Sequence, residues 1–192
     1  MKKLILILIL TLSFQTLTKA DDIRDFEIEG ISIGDSLLDY FSEEEITKTF
    51  YYKSKKYFSF TSSQSSFKTY DGVQFHIKNN DKTYTIEAIE GVKLFQNKIN
   101  ECKKLKKVVV GELSSLFIDA EKENDSGTHD YDKTGNSKFF RTMFFTSPKD
   151  RYNSIEVACF DWSKILEKQY GDKLTVGIKT QIFQKFMDVE AY

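Results

Sequence analysis

Apolar and polar positions change their spacing along this chain in a way that marks out its elements. Val73, Phe75 and Ile77 alternate with Gln74, His76 and Lys78, the period-two pattern of a strand buried on one side. Asn79, Asn80 and Asp81 supply turn chemistry, and Tyr84, Ile86 and Ala88 alternate on the way back, which predicts a β-hairpin. After Gly91 the spacing changes to threes and fours. Ile99, Cys102, Leu105, Val109, Leu113, Leu116 and Ala120 form one stripe of a long amphipathic helix, predicted over 96–120. A second hairpin follows, with one strand over 139–145 and a partner in which Ile155, Val157 and Cys159 alternate. A short helix from Ser163 ends at Gly171, Leu174, Val176 and Ile178 alternate in another strand, and a last helix buries Ile182, Phe183 and Phe186. Near the start, Ser32 or Asp35 caps a short helix with Leu37, Leu38, Tyr40 and Phe41 inward and Glu43 to Glu45 on its polar side. Residues 50–69 show no clean period and read as irregular, with room for one strand.

Hairpins placed between helices predict an α+β domain, an antiparallel sheet with helices packed on one face. Leu37-Leu38-Asp39-Tyr40-Phe41 and Leu113-Ser114-Ser115-Leu116-Phe117 share a short pattern, and each precedes a hairpin. An internal αββ duplication is compatible with this, although any amphipathic helix can supply five such positions.

The first twenty residues stand outside this scheme. Lys2 and Lys3 precede an apolar run from Leu4 to Leu12, and Thr18-Lys19-Ala20 offers small residues for a signal peptidase. This predicts a signal peptide over 1–20, cut after Ala20. The apolar run is shorter than the roughly 20 residues of a membrane span, and no second one follows. Removing the leader takes three of the 28 basic residues and none of the 29 acidic ones, leaving a net charge of −4. Such a balance disfavours nucleic acid, whose binding rests on phosphate neutralisation. The remaining 21–192 read as a single domain, with one proline and no linker. Cys102 and Cys159 suit a disulfide in an exported chain, with two buried free thiols as the alternative.

Candidate chemistry centres on Asp130-Tyr131-Asp132-Lys133-Thr134-Gly135-Asn136-Ser137-Lys138. Asp130, Asp132, Thr134 and Gly135 fit the first half of an EF-hand loop, but the twelfth position is Arg141 where a bidentate acid is needed. A phosphotransferase aspartate should end an apolar strand, and here Ser126-Gly127-Thr128-His129 precedes. Gly135-Asn136-Ser137-Lys138 breaks the Gly-Lys-Ser/Thr order of a phosphate loop. The stretch therefore reads as a polar loop. His129, Asp130, Asp132 and Lys133 remain as a weak cation or partner site, and His129 with Asp130 and Asp132 as the acids and base of a small hydrolase. His76 and His129 read as surface histidines, and no nucleophile elbow, metal-ligand spacing or cofactor motif is present. Lys103, Lys104, Lys106 and Lys107 read as a solvated helix face, with anionic lipid or an acidic partner as the functional alternative. Trp162, the only tryptophan, reads as packing at a sheet end.

The pattern Gly30-Ile31-Ser32 running into a helix and then antiparallel strands resembles the small outer-membrane assembly lipoproteins of the SmpA/OmlA type, without their lipobox cysteine. The segments GISIGDSLLDYFSEEEI, DKTGNSK and CFDWS resemble small exported proteins of AT-rich bacteria, a group that implies export and a class but no activity. The expectation is a periplasmic or secreted binding or envelope-assembly module, with an envelope protein or ligand as partner, no cofactor and no membrane span after the leader is cut.

Overall fold

Among the described residues, 23, 26–46, 49–146 and 154–191, the computed structural model has eight strands and four α-helices. In chain order these are α1 (Glu43–Ile46), β1 (Thr49–Tyr51), β2 (Tyr57–Ser62), β3 (Gly72–Lys78), β4 (Ile86–Leu94), α2 (Ile99–Leu116), β5 (Glu121–Thr128), β6 (Lys138–Phe145), β7 (Ser154–Asp161), α3 (Lys164–Tyr170), β8 (Lys173–Lys179) and α4 (Gln181–Val189). The strands form one antiparallel sheet in the order β1-β2-β3-β4-β8-β7-β6-β5. The α+β class is the one the hydrophobic pattern predicts. The leader expected over 1–20 lies outside the described residues.

One row of side chains shows how the core is built. Phe75, Ile89, Ile178, Ile155 and Phe144 are register partners across β3, β4, β8, β7 and β6. All five are 0–1% exposed. Over the β7–β8 half of this face lies α2, which contributes Cys102 and Leu113. Over the β2–β4 half lies the segment before β1, with Ile28, Ile31, Leu37 and Phe41 in the same cluster. Phe41 meets Phe60 and Phe75 edge-on at 5.1 and 5.5 Å. Cys102 and Cys159 are joined, with Cα atoms 6.1 Å apart, so α2 is fastened covalently to β7.

Several boundaries differ from the sequence pattern, each for a local reason. The long helix spans Ile99–Leu116 rather than 96–120, because Gln96 and Asn97 take positive φ and Phe117 leaves the helical region at ψ 66°. Gly91, after which the spacing changes, lies inside β4 and ahead of the helix. A Cβ there would meet the Tyr70 ring at 2.8 Å, so glycine is needed for that close approach. Residues 50–69 hold β1 and β2. The alternation is masked in β2 because both its faces are covered, Phe58 and Phe60 by the main core and Tyr57 by α4. The first helix is two pieces, a 3-10 turn at Leu37–Asp39 capped by Ser36 and then α1, which leaves Leu38 and Tyr40 about two-fifths exposed.

The expectation that helices share one face needs correcting at the C-terminus. His76 and Ala88 are partners on the reverse face of β3 and β4, and α4 covers them there with Phe183 and Phe186. Ile182 points away and is exposed, not buried as its place in the stripe predicts. His76 is buried, not a surface residue. Its Nδ1 pairs with the Tyr52 hydroxyl at 2.8 Å and its ring lies 4.7 Å from that of Phe183. Burial lowers its pKa to about 3, so it sits there as neutral imidazole.

Candidate functional site

Helix α4 covers the reverse face only over the first half of the sheet. Over β5–β8 that face is open, and its register explains what is found there. Gly127, Phe139, Phe160 and Lys173 form one row across the four strands; Asp125, Arg141, Ala158 and Thr175 form the next but one along each strand. Beyond them come Glu123, Met143, Glu156 and Gly177, with Glu90 the partner of Gly177 on β4. Small residues, Ala158, Thr175 and Gly177, thus occupy the middle of this face, and larger ones stand around them. The result is a cleft of about 860 Å³ lined by Phe139, Arg141, Glu156, Phe160 and Lys179 and closed at one end by Trp162 and the loop after β5.

The aromatic end is continuous. Phe160 and Trp162, two apart on the same chain, are near-parallel at 14° with centroids 6.0 Å apart. His129 lies 4.6 Å from Trp162 and Tyr170 5.0 Å from it on α3. Tyr131 meets Tyr170 at right angles, and the Tyr170 hydroxyl donates to that of Tyr131 at 3.0 Å. Trp162 therefore packs at the end of the sheet, as its place after Cys159 and Asp161 suggests. Phe139, which also lines the cleft, lies close over its cross-strand partner on the edge, Gly127, where a Cβ would sit 3.3 Å from its ring.

The polar part is a chain of paired charges. Arg141 Nη2 donates to Asp125 Oδ2 at 2.6 Å, and Arg141 Nη1 lies 3.8 Å from Glu156 Oε2. Lys179 Nζ reaches the same Glu156 oxygen at 3.3 Å. Glu156 and Lys179 side chains are only 13% and 19% exposed. Burial works against the charge on Lys179, but Glu156 and Glu90 beside it outweigh that and raise its pKa. Burial raises the pKa of Glu90, only partly offset by Lys179.

The residues singled out in the sequence are placed unequally. His129, Asp130 and Lys133 line the cleft. Asp132 turns inward instead, and its side chain is buried. Its Oδ1 accepts from the Thr134 amide and hydroxyl at 2.9 and 2.7 Å, and its Oδ2 from the Ser137 amide and hydroxyl at 3.0 and 2.7 Å. The Thr134 and Ser137 hydroxyls hold its carboxyl well below the usual carboxylate range. Four donors use the lone pairs a cation would need, so Asp132 serves as the organiser of its loop. His129 Nδ1 accepts from the Tyr131 amide at 3.3 Å, and burial lowers its pKa. No hydrogen bond joins the side chains of His129, Asp130 and Asp132 among the described residues, and no group of three or more His, Cys, Asp or Glu is placed there to hold a metal.

The lysine cluster of α2 is divided by the fold. Lys103 Nζ lies 3.5 Å over the Phe140 ring, and Lys106 donates to Thr142 Oγ1 at 2.6 Å. Lys104 and Lys107 alone of the four are exposed. No helix of the described residues is long and apolar enough to cross a membrane. Arg141, Glu156, Phe160 and Lys179 carry no motif. The only signal for them in the sequence is a charged or aromatic residue on the outward side of three strands, and that signal acquires meaning only when the register sets the strands beside one another. Comparison of the chain with family models, with curated proteins and with solved structures gives no match.

Proposed function

We propose that this chain is an exported, non-enzymatic binding module whose ligand or partner occupies the open sheet face at β5–β8. The observation that carries the proposal is the cleft itself, walled by His129, Phe160 and Trp162 and floored by the Arg141–Glu156–Lys179 chain. Its volume falls in the ~300–1,000 Å³ range of small-molecule sites, and it combines apolar rings with a few placed polar groups, as such sites do. Export is supported by the leader pattern of 1–20 and by a disulfide, a bond that persists in oxidising compartments. The hydrolase alternative through Asp130, Asp132 and His129 gains no support from the arrangement, since Asp132 is committed to its loop.

Trp162 is the only tryptophan, so its fluorescence reads the cleft directly. The test is titration of the mature protein with the small-molecule fraction of an envelope extract. A saturable change in Trp162 emission, lost in Phe160→Leu, is the expected result. No change at any concentration overturns the proposal.

A further inference from the structure

The chemistry of the cleft narrows what it holds. A purely apolar ligand would have to strip the remaining water from Arg141, Glu156 and Lys179 and return nothing, which is costly for charged groups, above all for the largely shielded Glu156 and Lys179. Of the cations that line the cleft, Lys133 is held on the Asp130 carbonyl at 2.9 Å, and a strongly charged ligand on the floor meets two that are already matched: Arg141 by Asp125 and Glu156, Lys179 by Glu156. To pair with such a ligand, either side chain has to leave a carboxylate. The demand is for a neutral molecule that brings both donors and acceptors to the paired charges while laying an apolar face on flat rings. Sugar rings have this division. Their axial C–H bonds make an apolar face that seats on an aromatic ring, whose π-face is negative, and their hydroxyls both donate and accept.

The layout of the cleft follows the same division. The rings stand at one end, on Phe160, Trp162 and Tyr131, and the paired charges lie further along the same strands at Arg141, Glu156 and Lys179. Resting on the reading of this cleft as the binding site, we infer that its ligand is a short, uncharged oligosaccharide. One sugar ring seats against the Phe160–Trp162 wall and the hydroxyls of the next engage the Arg141–Glu156–Lys179 chain. The free ends of both carboxylates and cations then accept or donate without a net change of charge.

The experiment is titration of the mature protein, followed by Trp162 emission, with cellotetraose and with the tetramer of N-acetylglucosamine as neutral probes. A tetragalacturonate and a tetra-alanine peptide serve as the anionic and peptide probes. The expected result is saturable binding of a neutral oligosaccharide, weakened at least about tenfold in Phe160→Leu and in Tyr131→Ala. Tyr131 is exposed, so its replacement does not endanger folding. No response to either neutral probe up to about 10 mM, tenfold above a Kd of about 1 mM, overturns the inference. So does a response only to the anion or the peptide, or one unchanged in both variants. The extract titration separates the two proposals: a response to extract but to neither sugar removes the saccharide and keeps the cleft, whereas silence to all removes both.

Discussion

At His76 a single side chain sets a pH limit on the fold. Its imidazole lies between Tyr52 and Phe183 with a pKa lowered to about 3 by burial, against about 6.5 in the unfolded chain. Between those values the unfolded state binds the extra proton, so the stability this site contributes is intact above pH 6.5 and lost as pH falls toward 3. At pH 5 the loss amounts to about 2 kcal/mol by the linkage relation. Denaturant unfolding at pH 7 and pH 5 measures it, and His76→Phe is expected to flatten that part of the profile. Asp132 gives a second prediction at this scale. Asp132→Ala removes the acceptor of four hydrogen bonds and is expected to lower the melting temperature and to speed amide exchange over 133–137. Asp130→Ala, on the exposed side of the same loop, is expected to change stability by no more than about 0.5 kcal/mol.

Among the elements, α2 is the one fastened covalently to the sheet. The Cys102–Cys159 bond joins positions 57 apart in the chain, a loop for which the chain-entropy model gives about 4 kcal/mol. Reduction, or Cys102→Ser, is therefore expected to lower the melting temperature strongly, whereas two thiols alkylated without prior reduction would show the bond absent. The sequence makes this pair legible because Cys102 sits in the helical stripe and Cys159 in a strand's inward alternation, so both point at the same layer. The strands β3, β4, β7 and β8 are legible for a related reason: large apolar residues on the core face alternate with polar, charged or small ones on the other, such as Gln74, Glu90, Ala158 and Thr175, whatever their burial. β5 is not legible. All eight of its residues are exposed, and as an edge strand held by β6 alone it has no buried side to produce an alternation. β2 is hidden by the opposite condition, burial on both faces. The cleft shares this illegibility. Its loop residues, His129, Asp130 and Lys133, stand out as a cluster in sequence, but Arg141, Glu156 and Lys179 are brought together by a register that no local pattern specifies.

The molecule as a whole is an asymmetric sheet. One face is covered by the segment before β1 over β2–β4 and by α2 over β7–β8, and the other is covered by α4 only around β2–β4, with the edge strands β1 and β5 left exposed. Two consequences follow at this scale. If the leader is processed, mass spectrometry of the protein recovered from outside the cytoplasm is expected to give a chain beginning at Asp21, and a chain retaining Met1 would contradict export through this leader. If the uncovered half-face is the working surface, binding must be felt there and not at the exposed Lys104 and Lys107 on the opposite layer. Amide chemical-shift mapping by NMR, with the small-molecule fraction of an envelope extract as titrant, tests this most directly. The prediction is that shifts gather in β6, β7 and residues 129–137; shifts gathered on α2 instead, or none anywhere, would contradict it.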